Sequence, residues 1–291
     1  TTLFRSAVNN QEIGIRTAEL IYTPINTKEN PGDFHFRING EKIFAKGTNW
    51  VPLDALHSRD IQHLESAFNM LLDLNCNMVR LWGGNVYEGD KFYELCDKNG
   101  IMVWQDFSMG CTIYPQDLEF QQKIKTEAEK VIQRLRHHPS LVLWAGNNEN
   151  DVSLTWGDAQ DHINPNADVI SREVLPRAIR EWDPETPYLP SSPFISQEAF
   201  MIEQKVVEEY SPERHLWGPR GYYKASFYTK QDAKFVSEIG YHGCPNISSI
   251  KKMMTPEYVY PWDIKEIHKA KLNNSALEKQ KLLGLFTWNK E

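Results

Sequence analysis

The chain has 291 residues, 41% of them hydrophobic and 24% charged, with a formal net charge of −7. That length fits one large domain or two small ones, and the acidic balance excludes a nucleic-acid partner, which needs a basic face. No apolar run approaches the roughly 18 residues of a membrane helix, so no membrane partner is expected.

The first 32 residues differ in style from the rest of the chain. Residues 12–20 alternate apolar and polar in strand fashion and residues 27–32 form a polar turn region, which resembles the last strands of a β-sandwich that begins upstream. From Phe34 a strand pattern runs into Asn39-Gly40, a hairpin signal. Residues 43–50 give a candidate first barrel strand, and 59–74 carry Ile61, Leu64, Phe68, Leu71 and Leu72 at helical spacing. Residues 78–82 read as a short strand ending Arg80-Leu81-Trp82-Gly83-Gly84. A helix over 89–98 stops near Asn99-Gly100.

Residues 101–104 form the third strand, running into Gln105-Asp106, and 117–138 a long charged amphipathic helix stopped by Pro139. The run Leu141-Val142-Leu143-Trp144-Ala145 then leads into Gly146, two asparagines and Glu149. An apolar run this short reads as a strand buried on both faces, as in parallel sheets. Residues 151–168 are polar and irregular, more in keeping with an active-site loop than a linker. Residues 169–182 are helical with a break at Pro176, 188–190 a fifth strand, 215–218 a sixth and 234–238 a seventh. Strands alternating with helices mean a parallel sheet, and seven or eight such units mean a (β/α)8 barrel. Residues 282–288 read either as the eighth strand or, by preference, as the end of a helix from Ser275. The expected organisation is a sandwich remnant over 1–32 and a TIM-type barrel over 33–291 that lacks its last strand.

The four cysteines, Cys76, Cys96, Cys111 and Cys244, show no CxxC spacing and read as reduced, mostly buried thiols. Asn246-Ile247-Ser248 and Asn273-Asn274-Ser275 match glycosylation sequons, a pattern frequent by chance. The compartment stays open, with periplasm or secretion favoured over cytoplasm. There is no HExxH and no paired His-carboxylate spacing, so no metal ligand set is expected.

Glu149 and Glu238 each follow an apolar strand, and the carboxyl ends of barrel strands carry the chemistry. Two such carboxyls, one protonated to donate to a leaving oxygen and one ionised to attack, are needed for glycoside hydrolysis with retention, at about 5–5.5 Å apart. Glu149 suits the acid/base role and Glu238 the nucleophile. Asn148 has the donor and acceptor to hold a sugar 2-hydroxyl, and Arg80 is the cation best placed in sequence to keep Glu238 ionised. Asp106 reads equally as a sugar contact or a brace. Nine tryptophans suit stacking on sugar faces or core packing.

Trp144-Ala145-Gly146-Asn147-Asn148-Glu149 resembles the acid/base motif of glycoside hydrolase family 2 in its β-mannosidase branch. Ser237-Glu238-Ile239-Gly240-Tyr241 is similar to that family's nucleophile motif. Lys46 to Pro52, Arg80 to Gly84 and Trp104 to Phe107 resemble its first three barrel strands, in the family's order. The resemblance implies a barrel behind β-sandwich domains of the same polypeptide. It implies retaining exo-hydrolysis of terminal β-linked mannose on a glycan, by double displacement through a covalent glycosyl-enzyme, without metal or cofactor. Trp82 and Trp217 would then wall the terminal-sugar pocket.

Tyr241-His242 departs from the family's Phe-Gln, and the family's last strand with its tryptophan is expected to be missing. Asn26-Thr27-Lys28 lies in the tail rather than the barrel, which disfavours a glucuronidase, and Asn148-Glu149-Asn150 fits a mannosidase better than a β-galactosidase. The alternatives are a related β-hexosidase (β-glucosaminidase or β-galactosidase) and a fragment that binds glycan without cleaving it.

Overall fold

The computed structural model of the chain describes residues 13–157, 159–218, 224–240 and 246–253. It divides into two compact units, the first made of 1–214 with 233–237 and the second of 215–232 with 238–291.

The first unit opens with an antiparallel sheet of β1 (Ala18–Tyr22), β2 (Phe34–Ile38) and β3 (Glu41–Ile43). Asn39 and Gly40 both have positive φ, 52° and 81°, as a tight two-residue hairpin requires. β1 pairs with β2 from Ala18 opposite Ile38 to Tyr22 opposite Phe34, so the strand expected in the N-terminal stretch is bonded to the hairpin. Of the alternation read over 12–20, the described residues 13–20 form strand only from Ala18.

Strands and helices then alternate: β4 (Gly47–Trp50), α1 (Ile61–Asp73), β5 (Met78–Leu81), α2 (Asp90–Asn99), β6 (Met102–Asp106), α3 (Leu118–Leu135) and β7 (Leu141–Ala145). They continue through α4 (Asn150–Ser153), α5 (Leu175–Trp182), β8 (Tyr188–Leu189) and α6 (Gln197–Glu203). β4 to β8 make a five-stranded sheet in chain order, each pair parallel. This is the α/β arrangement of a TIM-type barrel. The first strand starts at Gly47 rather than residue 43, because residues 41–43 are bonded into the hairpin.

Side chains of the parallel strands alternate between two apolar clusters. Val79, Leu81, Val103 and Trp144 pack with Phe68, Phe92, Ile132 and Ile179 of the helices. Met78, Met102, Trp104 and Leu143 pack with Phe34 and Phe36 of the hairpin. Covering both faces is why these strands read as continuous apolar runs.

Local chemistry sets the helix ends. Gly100 (φ 66°) takes the left-handed position that closes α2. The Asp117 side chain accepts from Phe120 N at 3.0 Å at the start of α3. α3 stops at Leu135, short of residue 138, and His138 instead pairs through Nδ1 with Asp97 Oδ2 at 2.6 Å. The helix does not break at Pro176: a π-helical turn over Ile170–Val174 runs directly into α5, where Pro176 is the second residue.

β9 (Glu213–Leu216) and β10 (Phe235–Ile239) form a two-stranded sheet, and the division between units runs through both strands. The second unit also holds α7 (Ser226–Thr229) and α8 (Ile247–Met253). Among the described residues no helix is long and apolar enough to cross a membrane. Residues 275–288, read as the eighth strand or a helix, lie outside the described residues.

Candidate active site

In the first unit the candidate residues sit at the carboxyl ends of β5, β6 and β7. Beyond Ala145 the backbone keeps bonding to its neighbours: Asn148 N donates to Met109 O at 2.9 Å, Cys111 N to Asn148 O at 2.8 Å and Glu149 N to Ser192 O at 2.8 Å. Asn147 is wholly buried and pins this turn. Its Nδ2 donates to Ser171 Oγ at 2.9 Å, and its Oδ1 accepts from Ser191 Oγ at 2.7 Å. Glu149 comes next in a left-handed conformation, φ 62°, just ahead of α4. Such φ is uncommon for a non-glycine residue and is tolerated where surrounding bonds fix the chain.

Arg80 organises the polar centre. Its Nη2 donates to Asp106 Oδ2 at 2.7 Å and to Asn148 Oδ1 at 2.8 Å, and its Nη1 to Asn49 Oδ1 at 3.1 Å. Asp106 also accepts from Trp104 Nε1 at 2.9 Å and Gly83 N at 3.0 Å, so its observed contacts are those of a brace. Because a guanidinium only donates, it must face the oxygen of Asn148, which fixes the amide orientation. Asn148 Nδ2 is thereby aimed at Glu149 Oε2, 3.3 Å away. Gly83 is boxed in by the backbone of Met109, Phe107 and Asn148, where a Cβ has no room. Trp82 is half-buried, with its ring against Gly84.

The Glu149 carboxyl is buried, and Cys111 Sγ donates to its Oε2 at 3.4 Å. Burial pushes its pKa above the ordinary carboxylate value, opposed by the Cys111 hydrogen bond, the charge of Arg80 and the Asn148 amide. A general acid needs a carboxyl that keeps its proton towards neutral pH.

Three features of this unit have no clear signal in the sequence pattern. Asp151, buried two residues beyond Glu149, forms a two-pronged ion pair with Arg172 at 2.9 and 2.6 Å and accepts from Ile195 N at 3.0 Å. Glu213 on β9 is buried with its Oε1 accepting from Ser192 Oγ at 2.7 Å and from Ser237 Oγ; burial raises its pKa to about 7. Cys111 is the third, and it is exposed, Cys76 half-buried, so only Cys96 of the described cysteines is buried.

In the second unit, Glu238 lies on β10, buried, and Trp217 Nε1 donates to its Oε2 at 2.8 Å. His215 Nδ1 is 3.4 Å from the same oxygen. The Trp217 ring lies against Gly240, which must lack a side chain there, and 43% of the residue is exposed. The departure from the family pattern at Tyr241-His242 lies outside the described residues. Arg80, Asp106, Asn148 and Glu149 are thus brought together in one unit and Trp217 and Glu238 in the other; Trp82 lies close to Arg80 in sequence.

Parallel strands alternating with helices, with acid side chains and their donors gathered at strand carboxyl ends, are the arrangement of a TIM-barrel domain whose site lies at that end of the strands. Residues 32–174 match the family model described as "Glycosyl hydrolases family 2, TIM barrel domain", and the chain belongs to glycoside hydrolase family 2. It is 35% identical over 265 residues to a β-mannosidase of Bos taurus, covering 84% of this chain and 29% of that protein. It is 34% identical to β-mannosidase B of Emericella nidulans, covering 85% and 30%. Among solved structures it resembles a β-D-mannosidase from Dictyoglomus thermophilum, with 36% identity, a TM-score of 0.68, and coverage of 84% of this chain and 29% of that one. An exo-chitosanase from Amycolatopsis orientalis, 18% identical with a TM-score of 0.57, shares the fold. The chain therefore spans less than a third of the length of these relatives.

Proposed function

We propose that the polypeptide carrying this chain is a retaining exo-glycosidase that removes terminal β-linked mannose from a glycan by double displacement. The observation that carries the reading is the state of Glu149: a buried carboxyl with raised proton affinity, fixed by Asn148 beyond the end of β7. The names of the relatives support the sugar, and family membership supports the chemistry.

In this reading Glu149 first donates its proton to the leaving oxygen while Glu238 attacks the anomeric carbon. Glu149, now ionised, then takes a proton from the water that releases the sugar. Asn148 contacts the 2-hydroxyl, Arg80 supplies positive charge to Glu238, Asp106 braces Arg80, and Trp82 and Trp217 wall the sugar. Upstream β-sandwich domains ahead of residue 33 belong to the same proposal.

The test is hydrolysis by the full-length polypeptide of a panel of aryl β-glycosides (mannoside, glucosaminide, galactoside), with the anomer of the first-formed product read by NMR. β-Mannose as first product is expected. Preference for another sugar overturns the mannoside assignment, and α-mannose overturns retention. Glu238→Ala should lower turnover by several orders of magnitude; near-normal turnover removes Glu238 as nucleophile.

A further inference from the structure

We infer that Cys111 is a positioning residue for Glu149, its thiol holding the carboxyl in place and making the two groups a coupled pair. The inference rests on the reading of Glu149 as acid/base only for its catalytic consequence; the coupling itself stands on the geometry.

Three side chains close a ring. Cys111 Sγ donates to Glu149 Oε2 at 3.4 Å, Asn148 Nδ2 donates to Cys111 Sγ at 3.3 Å, and the same Nδ2 donates to Glu149 Oε2 at 3.3 Å. Such distances are ordinary for sulfur, which is larger than oxygen and a weak donor and acceptor. Asn148 cannot turn away, because Arg80 occupies its oxygen. The thiol is delivered by a backbone held in an uncommon state. Cys111 has φ 59°, and it is fixed there by its N–H on Asn148 O at 2.8 Å and by the bridge between Gly110 and Asn148.

The chemical consequence is one of proton balance. A thiol donating to the ionised carboxylate favours ionisation, against the burial that disfavours it. Glu149 must be protonated in the first step and ionised in the second, so a donor that tempers the effect of burial serves both. The Arg80 charge and the Asn148 amide also act on this carboxyl, and both favour ionisation. By reciprocity the carboxylate makes the thiol harder to ionise.

The decisive measurement does not need activity. Cys111 is exposed, so its alkylation by iodoacetamide can be followed across pH by mass spectrometry, with Cys76 as internal reference. In Glu149→Gln the negative charge is gone, and Cys111 should alkylate several-fold faster near pH 7.5, approaching about tenfold for one unit of thiol pKa, while Cys76 keeps its rate. An unchanged Cys111 profile overturns the inference. In the full-length polypeptide, Cys111→Ala should move the basic limb of kcat/KM to higher pH, and Cys111→Ser, which keeps a donor, should restore the wild-type limb. Equal limbs in all three proteins overturn the positioning role. If the wild type hydrolyses no aryl β-mannoside, the functional proposal falls, and the alkylation rates still decide whether the thiol and the carboxyl are coupled.

Discussion

Arg80 Nη2 donates to Asp106 Oδ2 at 2.7 Å, and neither side chain is more than 4% exposed. The pair links the ends of β5 and β6, and the same guanidinium reaches on to Asn49 of β4 and to Asn148 beyond β7. A buried ion pair gives modest net stability, but removing one partner strands the other charge away from water.

Asp106→Asn should therefore be strongly destabilising although it is nearly isosteric. Asp106 accepts from Arg80, Trp104 and Gly83, and an amide cannot accept through its nitrogen. A loss of about 3–5 kcal/mol is expected, the usual cost of breaking a buried pair. Urea unfolding of wild type and variant measures it, and a loss below about 1 kcal/mol would show that water reaches Arg80.

Glu149→Gln tests the acid role through the leaving group. General acid assistance contributes about 10²–10⁴-fold, and it matters least for a leaving group stable as an anion. The variant should lose roughly that factor on a poorly activated mannoside. Its glycosylation rate with a dinitrophenyl mannoside, seen as a burst of phenolate, should change little. Equal losses on both substrates would remove Glu149 from the acid role. In the wild type, burial raises the Glu149 pKa, so the protonated form proposed as the acid persists to higher pH, and the basic limb of kcat/KM of the full-length polypeptide should lie above the ordinary carboxylate range.

Glu213 predicts a pH dependence of stability. Its pKa is about 7 in the folded chain against an ordinary 4.5. Between those values the folded state binds more protons than the unfolded state, so stability falls as pH rises from about 4.5 to 7 and is level above that. The whole effect is on the order of 3 kcal/mol. Glu213→Gln, which keeps an acceptor and cannot ionise, should gain stability relative to wild type at pH 8 compared with pH 5. Parallel melting curves at the two pH values would mean that the folded environment leaves its ionisation unchanged.

Trp217→Phe keeps an aromatic ring and removes the indole N–H that donates to Glu238 Oε2. A hydrogen bond to a charged group is worth about 1.5–3 kcal/mol, so kcat/KM on an aryl β-mannoside should fall about ten- to a hundredfold. A fall of less than twofold would show that Glu238 is oriented without Trp217.

The barrel class and the strand ends that carry Arg80, Asp106 and Glu149 can be read from residue order alone. The reason is local: a strand buried on both faces must be apolar throughout, and polar residues return where it ends. Helix α2 was legible for the same kind of reason, since Asn99-Gly100 permits the left-handed closure. Boundaries were less legible where neighbouring pairings competed, as at residues 41–43, bonded to the hairpin rather than continued into β4. Contacts between residues far apart along the chain become visible only once it is folded: Cys111 with Glu149, Asp151 with Arg172, Glu213 with Ser192 and Ser237. No periodicity records those meetings. Burial makes each polar group there take a partner, and which partner it takes depends on how the strands are brought side by side.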